Sequence, residues 1–344
     1  MKAILVEEFG GPEVLRHTDV ERPSPGEGEV LIEVHSAGIN YADTMRRRNR
    51  YLTRQPLPFI PGSEVAGVVA EVGGGVESVS EGDRVVTLIR TGGYADYAVA
   101  PAGGLIPLPD GLEFDEAAAV PLQGLTAYHI LKTSGAMREG ESVLVHAAAG
   151  GVGTLAVQVA KLLGAGTVIA TASSREKLDL ALSLGADVTI DYTEDDWPER
   201  VREATGGEGA DVILEMVGGD FPEKNLTCLS FFGRMVVYGA ASGERGSIDP
   251  ETLMNKCQSV VGFWLVPITS RPDLFVPSLR EVLGWVSSGD LRLTIGATYP
   301  LERAAEAHAD LEGRRTTGKL LLKPRGFRHQ VIARQNARAA VENT

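Results

Sequence analysis

The sequence predicts an α/β protein of two domains, and three of its features lead to that prediction. Its 344 residues suit two domains of ordinary size. Residues 1 to about 110 form short β-branched runs broken by Gly and Pro, as in a small, mainly β barrel or sandwich. From about residue 125, apolar strands alternate with helices, which indicates right-handed βαβ units on a doubly wound parallel sheet.

In the first domain, β-branched runs predict strands at 29–34, 65–72 and 84–88. The turn clusters at 23–26 and 81–83 separate these strands with Gly, Pro and Asp. Since each strand is short and bounded by turn residues, the sheet is expected to close on itself or to pack as a sandwich.

The second domain is predicted from the alternation of apolar runs with helical segments. Its predicted strands are 142–146, 167–172, 188–190, 211–214 and 234–238, and its predicted helices are a stretch after residue 150, 174–184 and 195–205. Near-continuous apolar strands indicate burial on both faces, as in a parallel sheet.

After about residue 265 we expect the chain to return to the first domain. A helix is predicted over 274–287, a strand over 296–299, a short helix over 301–311 and a final strand over 319–322. Residues 325–344 carry four Arg and one acidic residue with weak periodicity, so we interpret them as an appended tail.

The composition narrows the classes of function. The formal net charge is −13, which makes binding to nucleic acid or to an anionic membrane surface unfavourable. No segment is long and apolar enough to span a bilayer. The chain has two cysteines, Cys228 and Cys257, which fits a reducing compartment and excludes a four-cysteine zinc site. We therefore expect a cytoplasmic protein that acts on a small molecule.

A Gly-rich segment, AAGGVG at 148–153, follows a predicted strand and opens a predicted helix. This arrangement resembles the dinucleotide fingerprint, with Ala in place of the first Gly. Gly150 lets the backbone approach a pyrophosphate, and Gly153 lets the helix pack close to the strand. The helix N-terminus then offers free N–H groups to the phosphates. The alternative is a tightly packed helix start without a ligand.

The residues after the second strand of this domain indicate NADPH. An NAD site usually places an acid about 20 residues after the glycines, to bind the ribose hydroxyls. Residues 169–174 contain no acid, and Ser173 with Lys177 suits a 2′-phosphate by hydrogen bonding and charge. The alternative is structural: Ser173 and Glu176 form a helix capping box, and Arg175 and Lys177 face solvent.

Several segments of the chain are similar to one known family. They are 37–43, 61–67, 82–85, 122–128 and, most distinctively, 146–153. With them the chain resembles the zinc-free medium-chain dehydrogenase/reductases, especially the NADPH:quinone oxidoreductases of the zeta-crystallin kind. The resemblance implies a GroES-like catalytic domain at 1–124, a Rossmann NADP-binding domain at 125–264 and a return segment at 265–324. It also implies a homodimer or a homotetramer.

The resemblance also implies site residues and the absence of a metal. Residues lining the nicotinamide and substrate are expected at Asn40, Tyr51 and Thr126. The expected cofactor residues are Thr126, Ala149, Gly150, Gly151, Val152, Gly153, Ser173, Lys177, Tyr192, Tyr238, Gly239, Ala240, Ala241, Phe263, Trp264 and Leu265. Asn40 and Ser63 stand where zinc-dependent relatives carry a Cys and a His ligand, and neither residue is a good zinc ligand.

The chain departs from the family pattern beside Asn40. Met45 replaces a Tyr typical of many quinone reductases, and the arginines at 46, 47, 48 and 50 are unusual. Plainer roles stay open: Asn40 as a helix N-cap, Tyr51 as a surface aromatic, Thr126 as an ordinary helix residue. Likewise, Asp43 could pair with the arginines. We interpret His146 as a satisfied core residue rather than a base.

The expected reaction is hydride transfer from NADPH to a quinone or an enone. Asn40 and Tyr51 are candidate donors to the substrate oxygen, and solvent supplies the proton. One alternative is an enoyl or acryloyl thioester reductase of the same fold, in which the arginines at 46–50 grip a CoA phosphate. Another is a non-catalytic NADPH-binding or structural protein.

Overall fold

The computed structural model describes residues 1–109 and 111–324, so the tail expected at 325–344 lies outside the described residues. The strands are β1 Lys2–Leu5, β2 Arg16–Asp19, β3 Glu29–Ile39, β4 Glu64–Val72, β5 Arg84–Leu88, β6 Tyr97–Pro101, β7 Ile106–Pro107, β8 Ser142–Val145, β9 Thr167–Ala172, β10 Val188–Asp191, β11 Ala210–Glu215, β12 Leu229–Val237, β13 Ser259–Gly262, β14 Ile295–Pro300 and β15 Lys319–Lys323.

The α-helices begin and end as follows, again within the described residues. They are α1 Tyr41–Arg47, α2 Phe114–Ala117, α3 Pro121–His129, α4 Gly151–Leu162, α5 Arg175–Ser183, α6 Trp197–Ala204, α7 Phe221–Cys228, α8 Pro250–Met254, α9 Leu265–Thr269, α10 Pro272–Ser288 and α11 Ala304–Glu312. By their contacts these elements divide into two compact units.

The first unit joins the described residues before 122 to residues 295–324. Its main sheet has the order β14-β15-β3-β4-β5-β7, and β6 also pairs with β3. The 11-residue β3 is the centre of this sheet, since β4, β6 and β15 all pair with it antiparallel. Ile32 and Val34 on β3 are fully buried in the core. Its register shifts against β4 bend the sheet, as in a closed, barrel-like fold.

The second unit covers residues 122–294 and holds a six-stranded sheet of order β10-β9-β8-β11-β12-β13. Every neighbouring pair in this sheet is parallel. The order is that of two βαβαβ halves, and it reverses between β8 and β11. In such sheets the crevice at the carboxyl ends of the two central strands is where ligands bind.

The chain returns to the first unit later than we expected, at residue 295 rather than 265. Helix α10 packs on α3 within the second unit, where the Tyr128 hydroxyl contacts Glu281 Oε2 at 2.5 Å and His129 Nε2 lies 2.9 Å from Ser278 Oγ. Gln158 Nε2 also donates to the carbonyl of Arg292 at 3.0 Å. These contacts join residues more than 130 positions apart, so a local sequence pattern does not reveal them.

Candidate functional site

The loop between β8 and α4 is shaped to admit backbone close to a ligand. Ala147 has a positive φ of 48°, and Gly150 caps the N-terminus of α4. A Cβ on Gly153 would lie 2.4 Å from the Ala147 carbonyl oxygen and 2.7 Å from Ala148 Cα, so a side chain cannot fit there. The first amides of α4 have no intrahelical acceptor. This cradle fits the pyrophosphate of a dinucleotide.

A buried polar network begins at His146, directly before this loop. His146 Nδ1 lies 2.8 Å from the Thr171 hydroxyl, and its Nε2 lies 2.7 Å from Asn225 Oδ1. Asn225 Nδ2 donates to Glu215 Oε2 at 2.6 Å, and Glu215 Oε1 accepts from the Val217 N–H at 2.6 Å. Burial lowers the pKa of His146, which keeps the ring neutral. The structure thus confirms His146 as a satisfied core residue.

The turn after β9 tests the two interpretations of Ser173, as a ligand of a 2′-phosphate or as part of a helix capping box. The N-cap of α5 is Ser174, whose hydroxyl accepts from the Lys177 N–H at 3.4 Å, so the capping box expected from Ser173 is wrong. Ser173 is half-buried and makes no side-chain hydrogen bond within the described residues. Arg175 faces solvent, as that alternative expects, and pairs with Asp179 at 2.8 Å. Ser173 is therefore available to a ligand.

The remaining expected cofactor residues also follow strands of the second sheet. Tyr192 follows β10, and its ring meets Phe221 edge-on at a centroid distance of 5.6 Å. Residues 238–241 follow β12 in a half-buried or exposed loop, and residues 263–265 follow β13, with Leu265 as the first residue of α9. Burial and the nearby Glu215 raise the pKa of Tyr238. Because all six strands are parallel, these loops lie at one edge of the sheet together with the Gly-rich loop.

The three expected catalytic residues belong to different units. Thr126 lies on α3 in the second unit, is 7% exposed and donates its hydroxyl to the Leu122 carbonyl at 2.7 Å. Asn40 and Tyr51 belong to the first unit, before α1 and just after it. The bond to Leu122 gives Thr126 a structural role in its helix, and its contact with a ligand stays a prediction.

The Asn40 amide is held by a buried ion pair. Asn40 is 2% exposed, and its Oδ1 accepts from Lys319 Nζ at 2.9 Å. Lys319 Nζ also donates to Glu64 Oε2 at 2.5 Å, and Asn40 Nδ2 donates to the same oxygen at 3.3 Å. Asn40 is also the N-cap residue of α1, so its structural role is observed. Its expected contact with substrate stays a prediction.

Asp43 is the centre of a second buried cluster in the first unit. Its carboxylate is 1% exposed and accepts from the Asn40 N–H at 3.0 Å and from the hydroxyls of Ser63 and Tyr94, each at 3.1 Å. Arg46 Nη1 lies farther away, at 3.5 Å. The expected pairing of Asp43 with an arginine is thus observed, as the longest of its four contacts.

Two arginines of the run are bonded to the same carboxylate, that of Glu312. Arg47 is fully buried, and its Nη2 donates to both carboxylate oxygens of Glu312 at 2.7 and 2.9 Å. Arg48 Nε donates to Glu312 Oε1 at 2.8 Å. Arg50 is exposed and makes no side-chain ion pair within the described residues. Two of the four arginines therefore stabilise the fold.

Arg46 has different surroundings, which the sequence analysis missed. Its Nη1 donates to Ser63 Oγ at 2.5 Å, and its guanidinium carbon lies 4.6 Å from the centroid of the Tyr51 ring. The side chain is 14% exposed. The i,i+3 spacing of Asp43 and Arg46 was the available signal, but the contact with Ser63 joins segments 17 residues apart.

Two cationic side chains contact Asn40 and Ser63, the residues that the resemblance aligns with the zinc ligands of zinc-dependent relatives. Lys319 contacts Asn40, and Arg46 contacts Ser63. Each of these cations also contacts a carboxylate, Lys319 that of Glu64 and Arg46 that of Asp43. Within residues 1–109 and 111–324, no group of three or more His, Cys, Asp or Glu side chains is placed to hold a metal ion.

Comparisons with known proteins show which proteins the chain is similar to. Residues 26–110 match the family model of the alcohol dehydrogenase GroES-like domain, and residues 151–281 match that of the zinc-binding dehydrogenases. The human quinone oxidoreductase is 38% identical over 94% of this chain and 97% of its own. A mycobacterial protein complexed with NADPH superposes with a TM-score of 0.89 at 40% identity, over 94% of this chain and all of that one. The Escherichia coli quinone oxidoreductase complexed with NADPH gives 0.89 and 36% over the same shares.

Proposed function

Because the chain belongs to the medium-chain dehydrogenase/reductase family, in its quinone oxidoreductase group, we propose that it is an NADPH-dependent oxidoreductase that reduces quinones or activated alkenes such as enones. The observation that carries the proposal is the Gly-rich cradle on a parallel sheet, in a chain similar to quinone oxidoreductases over 94% of its length. When bound, NADPH supplies a hydride to the acceptor, and solvent supplies the proton.

The residues of the second unit divide the cofactor among them. The N-terminus of α4, with Gly150 to Gly153, takes the pyrophosphate. Ser173 and Lys177 take the 2′-phosphate by a hydrogen bond and a positive charge. Tyr192 flanks the adenosine. The loops at 238–241 and 263–265, with Thr126, line the nicotinamide side.

Tyr51 is the proposed hydrogen-bond donor to the acceptor in the first unit. Its ring is half-buried, so the phenol hydroxyl is a polar group at a position that a ligand can reach. A hydroxyl aimed at the acceptor oxygen would stabilise negative charge there as the acceptor is reduced. Asn40 caps the start of α1, and its amide also contacts Lys319 and Glu64, so we propose a positioning role for it beside the acceptor.

A thioester reductase is a weaker candidate on this structure. Its expected anchor is a phosphate grip by the arginines at 46–50, yet Arg47 and Arg48 are tied to Glu312. A non-catalytic NADPH-binding protein would keep the cradle and lack turnover. The assay below separates both alternatives from the proposed reaction.

Assembly, metal content and location complete the proposal. We propose a zinc-free homodimer or homotetramer in the cytoplasm that binds neither nucleic acid nor membrane. The two cations at Asn40 and Ser63 support the absence of zinc. No helix among the described residues is long and apolar enough to cross a membrane. Light scattering of the purified protein measures the assembly state directly.

The test is NADPH oxidation followed at the nicotinamide absorbance with quinones, enones and enoyl-CoA thioesters. We expect turnover with a quinone or an enone, and the same rate after incubation with a metal chelator. Turnover with the thioesters alone would replace the proposal by the thioester alternative. Binding of NADPH without turnover on any acceptor would indicate a non-catalytic protein.

A further inference from the structure

Arg46 is the one arginine of its run whose side chain contacts both Ser63 and Tyr51. Nη1 of Arg46 makes both of its side-chain hydrogen bonds, one to Ser63 Oγ at 2.5 Å and a longer one to Asp43 Oδ1 at 3.5 Å. Within the described residues, Nε and Nη2 make no hydrogen bond. Arg46 therefore keeps a free edge with two parallel N–H donors, while its other end is fixed.

The charge of this guanidinium is only partly neutralised. Its nearest carboxylate, Asp43, already accepts shorter hydrogen bonds from Asn40, Ser63 and Tyr94. The Arg46 side chain is 14% exposed, so it is largely removed from water and still reachable. A partly desolvated cation with spare donors attracts an anionic or strongly polarised oxygen more strongly than an exposed one does.

The position of Arg46 links this charge to the acceptor. The guanidinium covers the face of Tyr51, which is the proposed donor to the substrate oxygen. It also contacts Ser63, one of the two positions at which zinc-dependent relatives hold a cation. The positive charge of Arg46 thus lies beside the proposed donor to the acceptor.

We propose that Arg46 is a substrate-binding residue whose free N–H edge binds the carbonyl oxygen of the acceptor. This proposal rests on the proposed function and specifies how the acceptor is recognised. Reduction of an enone at its β-carbon, or of a quinone, moves an electron pair onto the carbonyl oxygen. Arg46 stabilises that charge until solvent protonates the product. The site then favours acceptors whose carbonyl is conjugated to the reduced bond.

The arrangement also predicts binding of an inert carboxylate. Two parallel N–H donors match the two oxygens of a carboxylate, and this pairing is specific to a guanidinium. Benzoate, which offers a planar carboxylate on an aromatic ring and no reducible bond, is a suitable probe. It should compete with the quinone and not with NADPH.

The experiment compares Arg46→Met and Arg46→Gln with Arg50→Met in the full-length protein. Arg50 is the matched control, because it lies four residues away and is exposed. For Arg46→Met we expect kcat/KM with a quinone or an enone to fall about tenfold or more, as when one donor of an oxyanion site is lost. The benzoate inhibition constant should rise by a similar factor, with NADPH affinity unchanged. Arg46→Gln keeps a donor toward Ser63, and its kcat/KM and its inhibition by benzoate should fall as in Arg46→Met. Arg50→Met should keep the wild-type values of both.

The outcomes separate this inference from the function on which it rests. A wild-type protein that reduces no quinone or enone overturns the proposed function. A wild-type protein that is active, with Arg46→Met and Arg46→Gln matching Arg50→Met in kcat/KM and benzoate inhibition, overturns the role of Arg46 alone. If both Arg46 variants lose thermal stability and keep wild-type benzoate inhibition, Arg46 is structural and the inference is again wrong.

Discussion

The two neighbouring serines after β9 differ in their hydrogen bonding. Ser174 caps α5, and its hydroxyl is bonded to the Lys177 N–H. Ser173 precedes the cap and makes no side-chain hydrogen bond within the described part of the chain. An acid at this turn would repel a 2′-phosphate, and residues 173–175 contain none. The discrimination between NADPH and NADH is therefore expected to depend on Ser173 and Lys177.

We predict that wild-type kcat/KM is higher for NADPH than for NADH, and that Ser173→Asp reverses this order. The substitution places a negative charge against the 2′-phosphate without touching the cap of α5. Charge-assisted bonds contribute roughly 1.5 to 3 kcal/mol each, so the KM for NADPH should rise about tenfold to several-hundredfold. The KM for NADH should change little.

Lys177→Ala should likewise raise the KM for NADPH and change the KM for NADH little. Arg175→Ala is the matched control. Arg175 is exposed and pairs with Asp179, so its removal should leave both KM values near wild type. Steady-state kinetics with both cofactors measures all three variants. Equal kcat/KM for NADPH and NADH in the wild-type protein would show that Ser173 and Lys177 contact no phosphate.

Among the elements, α4 begins in close contact with the backbone of the loop that precedes it. We predict that Gly153→Ala weakens NADPH binding at least about tenfold and destabilises the protein by about 1–3 kcal/mol. The new Cβ would meet three backbone atoms, one of Ala147 and two of Ala148, so the N-terminus of α4 must move away from the loop. NADPH titration followed by fluorescence, with urea unfolding, measures the two effects.

Gly284→Ala is the control for this helix substitution. Gly284 lies inside α10 with nothing within 4 Å of an added Cβ, so alanine should stabilise the helix by up to about 1 kcal/mol. NADPH affinity should be unchanged. Wild-type affinity in Gly153→Ala would mean that α4 does not present its N-terminus to the phosphates.

The elements also show how far the sequence alone could lead. Strands β8, β9 and β11 are predictable because each is a short apolar run, and the Gly-rich loop is predictable because its spacing is local. The membership of α10 in the second unit was not, since it depends on contacts such as His129 with Ser278. In the same way, the contact of Arg46 with Ser63 depends on how α1 packs against the residue that precedes β4. Only folding brings such residues together.

At the scale of the whole molecule, several buried groups are neutral although the chain is strongly charged. His308 is fully buried, and its Nδ1 lies 3.1 Å from Arg47 Nη1. Because an arginine only donates, Nδ1 must accept, and Nε2 then donates to the Tyr94 oxygen at 3.2 Å. Burial, and to a smaller extent the positive charge of Arg47, lowers the pKa of His308 to about 3. Burial and then Lys132 lower that of His129 to about 4.

These depressed pKa values predict a loss of stability in mild acid. In the unfolded chain both histidines take up a proton as the pH falls below their ordinary pKa of 6.5, whereas in the folded protein they stay neutral. The unfolded state thus binds more protons, and the free energy of unfolding falls as the pH drops from about 6.5 toward 4. The slope approaches about 1.4 kcal/mol per pH unit for each such histidine.

Urea unfolding at a series of pH values between 8 and 4.5 tests this expectation with His308→Gln. The variant loses hydrogen bonds to Arg47 and Tyr94, so it should be less stable than wild type at pH 8. It lacks the titrating ring, so its free energy of unfolding should fall less steeply below pH 6.5. His17→Gln, at an exposed position, should keep the wild-type slope. A slope in His308→Gln as steep as in wild type would mean that His308 takes up its proton in the folded protein, and that its bond with Arg47 breaks without unfolding the first unit.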